Sequence, residues 1–377
     1  MKRSRCDHYI PEEVMFKILS FTKVTSLLRF KSVCKPWRSN ISKPKFIQAH
    51  HPNSLNFPSI LIITSTTSDP QQQQQLSNNL GATLVYFDAS RVSPPLPSIF
   101  GTMKFVSSCN GIVCVCDNAG ANIYLFNPLT SMSKKVPPVV VVNRHVERLQ
   151  EKAVKVDVVF GFDCVLNDFK VLRIQYRKHG GTQLVSVEVV EVYSSNADSW
   201  REIEVDVALP SFVLYPLCSV LISGPVLDGV LYLEGMNEIV TFDLRSEVFG
   251  LITFPGFMKT RISNVLDVEG SIGVVVESVG DGDVGKEVSM WTMEMVSDEV
   301  FWNKKFKFDA CLEIDWVFLY LGAKQYVVRT REGEMLYDHG KKEIKSIGLP
   351  SRSFLTRVLK HAESFISIQG FEKVREN

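Results

Sequence analysis

The segment IYLFNPLTSMSKKVP at 123–137 decides the fold, because its pattern returns along the chain. It reads as an alternating strand that ends in an aromatic residue, a polar turn and a second strand. The same pattern recurs at 190–203, 239–255, 288–308 and 335–350. The anchoring aromatics are Phe126, Tyr193, Phe242, Trp291 and Tyr337, which follow one another at intervals of 67, 49, 49 and 46 residues. A weaker sixth copy lies at 84–97, where Phe87 precedes Phe126 by 39 residues.

A hairpin repeat of about 45–50 residues is typical of β-propeller blades, kelch repeats having a period of about 50. Further hairpins are predicted between the copies, with turns at Leu166–Asp168, Asp228-Gly229 and Glu269-Gly270. The sequence therefore predicts an all-β, kelch-like propeller of about six blades. Seven blades, or an open β-sandwich, are the alternatives. Phe365–Ile368 is expected to pair with Leu61–Thr64 and so close the ring, which would remove exposed strand edges.

Charge is distributed unevenly along the chain. The whole chain has 42 Lys and Arg against 41 Asp and Glu, a net charge of +1. Residues 1–51 contain eleven basic and three acidic side chains, a net charge of +8, which leaves −7 for the remainder. A near-neutral chain argues against a protein that coats nucleic acid, and the asymmetry points to a partner of the basic segment.

The same basic segment has helical rather than strand periodicity. The PEE run at 11–13 favours a helix start, since Pro suits the first turn and acids suit the positive end of the helix dipole. Val14, Ile18 and Phe21 then recur at spacings of four and three. We predict several short helices, which form a small head that cannot bury much core by itself.

Ordered matches within 10–51 connect this head to a known family. They are Ile10-Pro11-Glu12-Glu13, Ile18-Leu19, Ser26-Leu27-Leu28-Arg29-Phe30, Val33-Cys34-Lys35 and Trp37-Arg38. On these residues the segment resembles an F-box, specifically the plant version. Thr22-Lys23 departs from the family, which often has Leu-Pro between the first two helices. The resemblance implies a trihelical module that binds a Skp adaptor and, through it, a cullin–RING ubiquitin ligase.

The resemblance also implies which residues contact the adaptor. They are Ile10, Pro11, Val14, Ile18, Leu19, Leu27, Val33, Cys34 and Trp37. For each of them the alternative is internal packing of the small head. Skp adaptors are acidic as a family, so a basic head would speed the encounter between the two proteins.

Three blocks of the body extend the resemblance. They are SCNGIVCVCDNAGANIYLFNPLT at 108–130, FGFDCVLNDFKVLRI at 160–174 and VEVYSSNADSWREI at 190–203. In this order they resemble the plant F-box-associated domain, which is itself kelch-like. The predicted domains are an F-box at 8–51, a linker at 52–80 and an F-box-associated propeller at 81–370. Within the linker, Gln71–Gln75 is a low-complexity tract that we expect to be solvated.

One short motif imitates a nucleotide-binding fingerprint. Residues 280–285 spell G-x-G-x-x-G, but the fingerprint requires a helix after it to offer N–H groups to a pyrophosphate. The segment that follows alternates like a strand, and Asp281 and Asp283 would repel phosphate. We therefore predict a hairpin turn at this position.

The remaining reactive residue types suggest no catalytic, metal or cofactor site. The histidines have no metal-ligand spacing, and the pair at 50–51 is expected to be solvated. Cys114 and Cys116 share one face of a predicted strand and are assigned to the core. The chain shows no signal-peptide pattern and no apolar run long enough to span a membrane. Its eight cysteines lack a disulfide framework, which favours reduced thiols and a cytoplasmic or nuclear location.

Together these features predict a non-catalytic substrate-recognition subunit of an SCF-type (Skp–cullin–F-box) ubiquitin ligase. The head would bind the adaptor, and the propeller would bind a target protein whose identity and binding residues the sequence does not reveal. Two alternatives remain open. The first is an adaptor-binding scaffold that does not direct degradation, and the second is a propeller enzyme with an appended F-box.

Overall fold

The structure, a computed structural model, describes residues 10–54, 59–66, 80–86, 91–92, 100, 103–139, 155–180, 182, 184–205, 209, 212–213, 222–235, 238–256, 262–279, 286–297, 299–308, 312–347 and 353–373. It consists of a helical head followed by antiparallel sheets that form a β-propeller. The predicted order, a small all-α head and then an all-β propeller, is confirmed.

The head contains four helices: α1 (Glu12–Ser20), α2 (Val24–Phe30), α3 (Lys35–Ile41) and α4 (Pro44–Ser54). α1 begins directly after Pro11 and has two acidic side chains in its first turn, as the helix dipole favours. The buried core of the head consists of Leu19, Val24, Leu27, Ile41 and Phe46, and Phe365, which follows β25, joins them. The helices have only 7 to 11 residues each, so packing rather than helix propensity holds the head together.

The strands form six sheets, numbered here in chain order. Sheet 1 contains β1 (Ser59–Thr66), β2 (Leu80–Tyr86) and β3 (Arg91–Val92). Sheet 2 contains β4 (Lys104–Cys109), β5 (Ile112–Cys116), β6 (Ile123–Asn127) and β7 (Met132–Lys135). Sheet 3 contains β8 (Lys155–Asp163), β9 (Asp168–Lys178), β10 (Leu184–Ser194), β11 (Ser199–Ile203) and β12 (Phe212–Val213). Sheet 4 contains β13 (Ile222–Leu227), β14 (Val230–Glu234), β15 (Glu238–Asp243) and β16 (Phe249–Thr253). Sheet 5 contains β17 (Ile262–Val268), β18 (Ser271–Val279), β19 (Lys286–Val296) and β20 (Glu299–Lys307). Sheet 6 contains β21 (Trp316–Gly322), β22 (Gln325–Thr330), β23 (Gly333–Asp338) and β24 (Glu343–Ser346). The last two strands, β25 (Ser353–His361) and β26 (Glu372–Lys373), return to sheets 1 and 2.

The sheets are arranged in a ring. Their innermost strands are β25, β4, β8, β13, β17 and β21, and each contacts the next, with β21 returning to β25. Buried clusters of apolar side chains fill the space between neighbouring sheets, for example between sheets 3 and 4 and between sheets 5 and 6. A ring of this kind replaces the two facing layers of a sandwich, so the sandwich alternative is wrong.

Two of the predicted hairpin turns occur as expected. Asp228 and Gly229 have φ values of 50° and 81°, and Glu269 and Gly270 have 55° and 80°. Two successive positive φ angles fit the turn type that matches the twist of antiparallel strands. The third turn begins slightly earlier than predicted, at Cys164, and ends at Asn167, whose φ is 52°.

The structure moves the boundaries of the predicted linker at 52–80. α4 continues to Ser54, and β1 already lies inside sheet 1, where it pairs with β2 and β25. Ile60 and Leu61 of β1 are buried, so this segment belongs to the propeller core. The strand expected at Leu61–Thr64 lies within β1, so the propeller begins before residue 81. The low-complexity tract at 71–75 lies outside the described residues.

Ring closure uses a different strand from the predicted one. β1 pairs with β25 over eight positions, with Leu61 opposite Leu359. The predicted closing segment, Phe365–Ile368, follows β25 and is not a strand. Its three large apolar residues have other partners, since Phe365 is buried in the head while Ile366 and Ile368 pack against sheet 2.

A carboxyl group is buried at the end of β14. Glu234 is 8% exposed, and its Oε2 has no hydrogen-bond partner among the described residues. Burial raises the pKa of Glu234 to about 8, because the charged form loses its hydration. The folded protein therefore holds a proton at neutral pH that the unfolded chain releases.

We expect Glu234→Gln to stabilise the protein increasingly as the pH rises. The wild type loses stability between the unfolded pKa near 4.5 and the folded pKa of about 8, by about 1.4 kcal/mol per pH unit. Glutamine has no proton to lose, so the difference in unfolding free energy between variant and wild type grows over this range. Urea unfolding of both proteins at pH 6, 7 and 8 measures it. A difference that is the same at all three pH values would contradict the assignment.

Candidate functional site

An apolar stripe is exposed along one face of α1. Ile10, Val14, Ile18 and Phe21 are between 47% and 57% exposed. Val14 and Ile18 lie one turn apart on α1, Ile10 precedes the helix and Phe21 follows it directly, while Leu19 faces the core of the head. Half-exposed aliphatic and aromatic side chains in one row mark an interaction surface.

Three further residues of the head add exposed groups after α1. Leu28 of α2 is 37% exposed, and Val33, between α2 and α3, is 65% exposed. Cys34, which precedes α3, is an exposed free thiol. The short helices of the head cannot bury these residues in addition to their common core, so the residues remain available to a partner.

The predicted adaptor contacts therefore divide into three groups by their exposure. Six of them are exposed: Ile10, Pro11, Val14, Ile18, Val33 and Cys34. Leu19 and Leu27 are instead 3% and 0% exposed and lie in the core of the head, as the internal-packing alternative proposed. Trp37 is half-buried and packs edge-on against Phe30, with ring centroids 5.2 Å apart.

Phe21 and Leu28 were not among the predicted contacts. Phe21 continues the same periodic row as Val14 and Ile18, and this spacing was visible in the sequence. Periodicity identifies a row of apolar residues, but it does not say which of two adjacent rows faces the core. Leu28 follows the fully buried Leu27, so only the packing of α2 reveals that it points outward.

The turn between α1 and α2 is held by α4. His50 is 2% exposed, its Nε2 lies 2.8 Å from the carbonyl oxygen of Thr22, and its ring stacks on Phe46. Asn53 Nδ2 donates to the carbonyl oxygen of Ser20 at 3.1 Å. These bonds fix the turn that contains Thr22-Lys23, where the family often has Leu-Pro. The expectation that His50 is solvated is wrong, and burial lowers the pKa of His50.

The head rests on one particular face of the ring. Strands in each sheet alternate in direction, so the short turns at 110–111 and 128–131 lie on the same face. Leu129 from the second of these turns packs against the core of the head, as does Phe365 after β25. On the opposite face one sheet ends and the next begins, for example at Lys135 of β7 and Lys155 of β8.

The described part of the body offers no cluster that could bind a metal ion. Among the described residues, no three His, Cys, Asp or Glu side chains come together to hold a metal ion. Cys114 and Cys116 are buried in one cluster with sheets 2 and 3, which confirms their assignment to the core. Residues 280–285 lie outside the described residues, but they are followed by the strand β19 rather than by a helix. No described helix is long and apolar enough to cross a membrane.

The protein thus combines a helical head that bears an exposed apolar stripe with a β-propeller. The family model described as F-box associated beta propeller domain matches residues 60–337, and the F-box-like model matches residues 8–48. Because the first match covers most of the chain, the protein belongs to the family of F-box proteins with an F-box associated beta propeller domain. The resemblance to plant F-box proteins is thereby confirmed.

Similar curated proteins come from Arabidopsis thaliana. An F-box/kelch-repeat protein is 25% identical over 313 residues, covering 79% of this chain and 79% of that protein. The F-box protein CPR1 is 24% identical over 320 residues, covering 79% of this chain and 72% of that protein. Among solved structures, a putative 6-phosphogluconolactonase from Bacteroides fragilis is similar at a TM-score of 0.37 and 9% identity, covering 81% of this chain and 98% of that chain. A likeness of this degree says nothing about function.

Proposed function

We propose that this protein is the substrate-recognition subunit of an SCF-type ubiquitin ligase. The observation that carries the proposal is the exposed apolar stripe on α1 of an F-box head. Ile10, Val14, Ile18 and Phe21 would bury their side chains against a Skp-family adaptor, which connects the head to a cullin–RING assembly. Burial of such side chains contributes about 1.5–3 kcal/mol each when complete.

Charge on the head would favour the same partner. Five basic side chains of the head are exposed: Lys17 on α1, Lys35 and Arg38 on α3, Lys43 in the turn before α4, and Lys45 in the first turn of α4. An adaptor with an acidic surface would be attracted over distances of about a Debye length, ~8–10 Å at physiological salt. The basic groups would raise the association rate, while the apolar stripe would set the lifetime of the complex.

The propeller would hold the target on the face opposite the head. On that face one sheet ends and the next begins, and loops on a rigid scaffold are where recognition residues usually lie. We count each of the six sheets as one blade of this scaffold. Exposed free thiols at Cys34 and Cys164 fit a reducing compartment, so we propose a cytoplasmic or nuclear location.

The protein would act without catalytic residues of its own. By holding the target and the ligase together, it would raise the concentration of target lysines near the ubiquitin thioester. An ordered metal ion or cofactor in the propeller would instead favour the enzyme alternative.

The test of the proposal is a half-life measurement on a target identified by proximity labelling with the full chain. We expect additional receptor to shorten the half-life of the target, and inhibition of cullin activation to restore it. If the chain binds a Skp-family adaptor while the half-life remains the same under both conditions, the scaffold alternative replaces the proposal.

A further inference from the structure

The segment 362–371, called here the C-terminal strap, joins the ring to the head. It begins directly after β25, the strand that completes sheet 1, and ends directly before β26, which pairs with β7 of sheet 2. Between these strands it crosses the short-turn face of the ring, where the head lies. The strap therefore links three parts of the molecule that are distant in sequence.

Sheet 2 holds the strap with buried polar groups. Asn127 Nδ2 donates to the carbonyl oxygens of Ser364 and Ile366, both at 3.0 Å. Ser364 Oγ donates to the carbonyl oxygen of Asn110 at 2.6 Å, and Lys134 Nζ donates to that of Gln369 at 2.8 Å. Asn127 is 0% exposed, so its bonds to the strap are shielded from water. These bonds fix the path of the strap on the ring.

A single aromatic side chain of the strap enters the head. Phe365 is 5% exposed and belongs to the same buried cluster as Leu19 and Leu27. Lys31 Nζ lies 4.1 Å from the centre of the Phe365 ring, and the His50 ring lies 6.3 Å from it. Within the described residues, Phe365 is the one fully buried member of this cluster that the body supplies.

The buried cluster that Phe365 joins also contains residues of the two helices that carry the exposed stripe. Leu19 and Leu27 lie on α1 and α2, whose opposite sides carry Val14, Ile18 and Leu28. A head of about forty-five residues is near the lower limit for an independent core. Removing a buried phenyl ring from so small a core would therefore disturb the helices that present the stripe.

From these contacts we infer that the C-terminal strap is part of the adaptor-binding module, and that the head becomes ordered only after the propeller has closed. Phe365 reaches the head only if β25 has paired with β1 and the strap has docked on sheet 2. The N-terminal head thus depends on a segment that lies more than 300 residues later in the chain. An incompletely folded receptor would present no ordered stripe to an adaptor.

Hydrogen exchange of the full-length chain tests this dependence directly. In Phe365→Ala we expect the amides of α1, α2 and α4 to lose protection at least tenfold, while those of β14 and β18 keep theirs. Phe301→Ala is the matched control, because Phe301 lies on β20 and is 47% exposed. It should leave the protection of the head unchanged. Equal protection of the head in wild type and Phe365→Ala would overturn the inference.

A second variant loosens the strap on the ring at a residue outside the core of the head. Ser364→Ala removes the bond to the carbonyl oxygen of Asn110, and we expect a loss of head protection in the same direction, although smaller than in Phe365→Ala. The affinity for a purified Skp-family adaptor is then measured for all four proteins, and this readout rests on the proposed function. We expect at least tenfold weaker binding for Phe365→Ala. If the wild type does not bind, the proposed function fails while hydrogen exchange still decides the role of the strap. If the adaptor binds Phe365→Ala as tightly as wild type, the strap is not part of the module.

Discussion

Val14→Asp combined with Ile18→Asp is expected to abolish binding of a Skp-family adaptor while leaving the fold intact. Both side chains are about half exposed, so the substitutions do not enter the core of the head. In the complex each aspartate would replace apolar contact with a charge deprived of water, which costs several kcal/mol unless it is paired. We expect affinity to fall at least a hundredfold, as measured by titration of purified full-length chain with purified adaptor.

The control for this experiment is Phe301→Asp, which introduces the same charge at an exposed apolar position of β20 in the body. It should bind the adaptor like wild type. Thermal unfolding should be the same for the double variant and wild type within a few degrees, since neither position is buried. Adaptor binding that survives both aspartates would show that the stripe is not the contact surface. Trp37 is a poorer test position, because it packs on Phe30 and its loss would disturb the head itself.

Lys170→Met is expected to lower the free energy of unfolding by about 3–5 kcal/mol. Lys170 of β9 is 3% exposed and bonds to the turn between β15 and β16, at Leu244 O and Glu247 Oε1. It thereby joins sheet 3 to sheet 4. Methionine fills a similar volume but leaves Glu247 with one cationic partner, Arg201, which is largely exposed.

A second lysine provides the comparison for this prediction. Lys307 of β20 pairs with Glu287 at 2.6 Å, but its side chain is 60% exposed. Exposed pairs contribute about 0–1 kcal/mol, so Lys307→Met should have little effect. Urea unfolding of both variants and wild type, followed by tryptophan fluorescence, measures the two differences. If both substitutions lower the free energy of unfolding by the same amount, the bonds of Lys170 between sheets 3 and 4 contribute no more than a surface ion pair.

Local sequence was sufficient where a structural feature depends on neighbours in the chain. Asp228-Gly229 and Glu269-Gly270 turn as predicted because the backbone angles of a two-residue hairpin select these residue types. Cys114 and Cys116 are in the core because alternation on a strand puts both on one face. The row containing Val14 and Ile18 was likewise visible as a helical period.

Other features depend on which elements meet, and these were not predicted. Leu61–Thr64 of β1 was expected to pair with Phe365–Ile368, whereas its strand partner is β25, which ends before that segment. His50 was assigned to solvent, since nothing in its neighbourhood indicates a bond to Thr22. Phe365 was assigned to ring closure, and its actual contact is with a head more than 300 residues earlier.

The sequence by itself determined that a basic helical head precedes a ring of hairpins, because charge, periodicity and turn chemistry are written in consecutive residues. Only the tertiary structure decided that Leu19 and Leu27 face inward while Val14 and Ile18 face outward, and that Phe365 completes the head. The physical reason is that a helix face is buried only when another segment packs against it, and that segment comes from a distant part of the chain. A periodic row shows that a face is apolar, but packing determines whether the protein covers it or leaves it for another molecule.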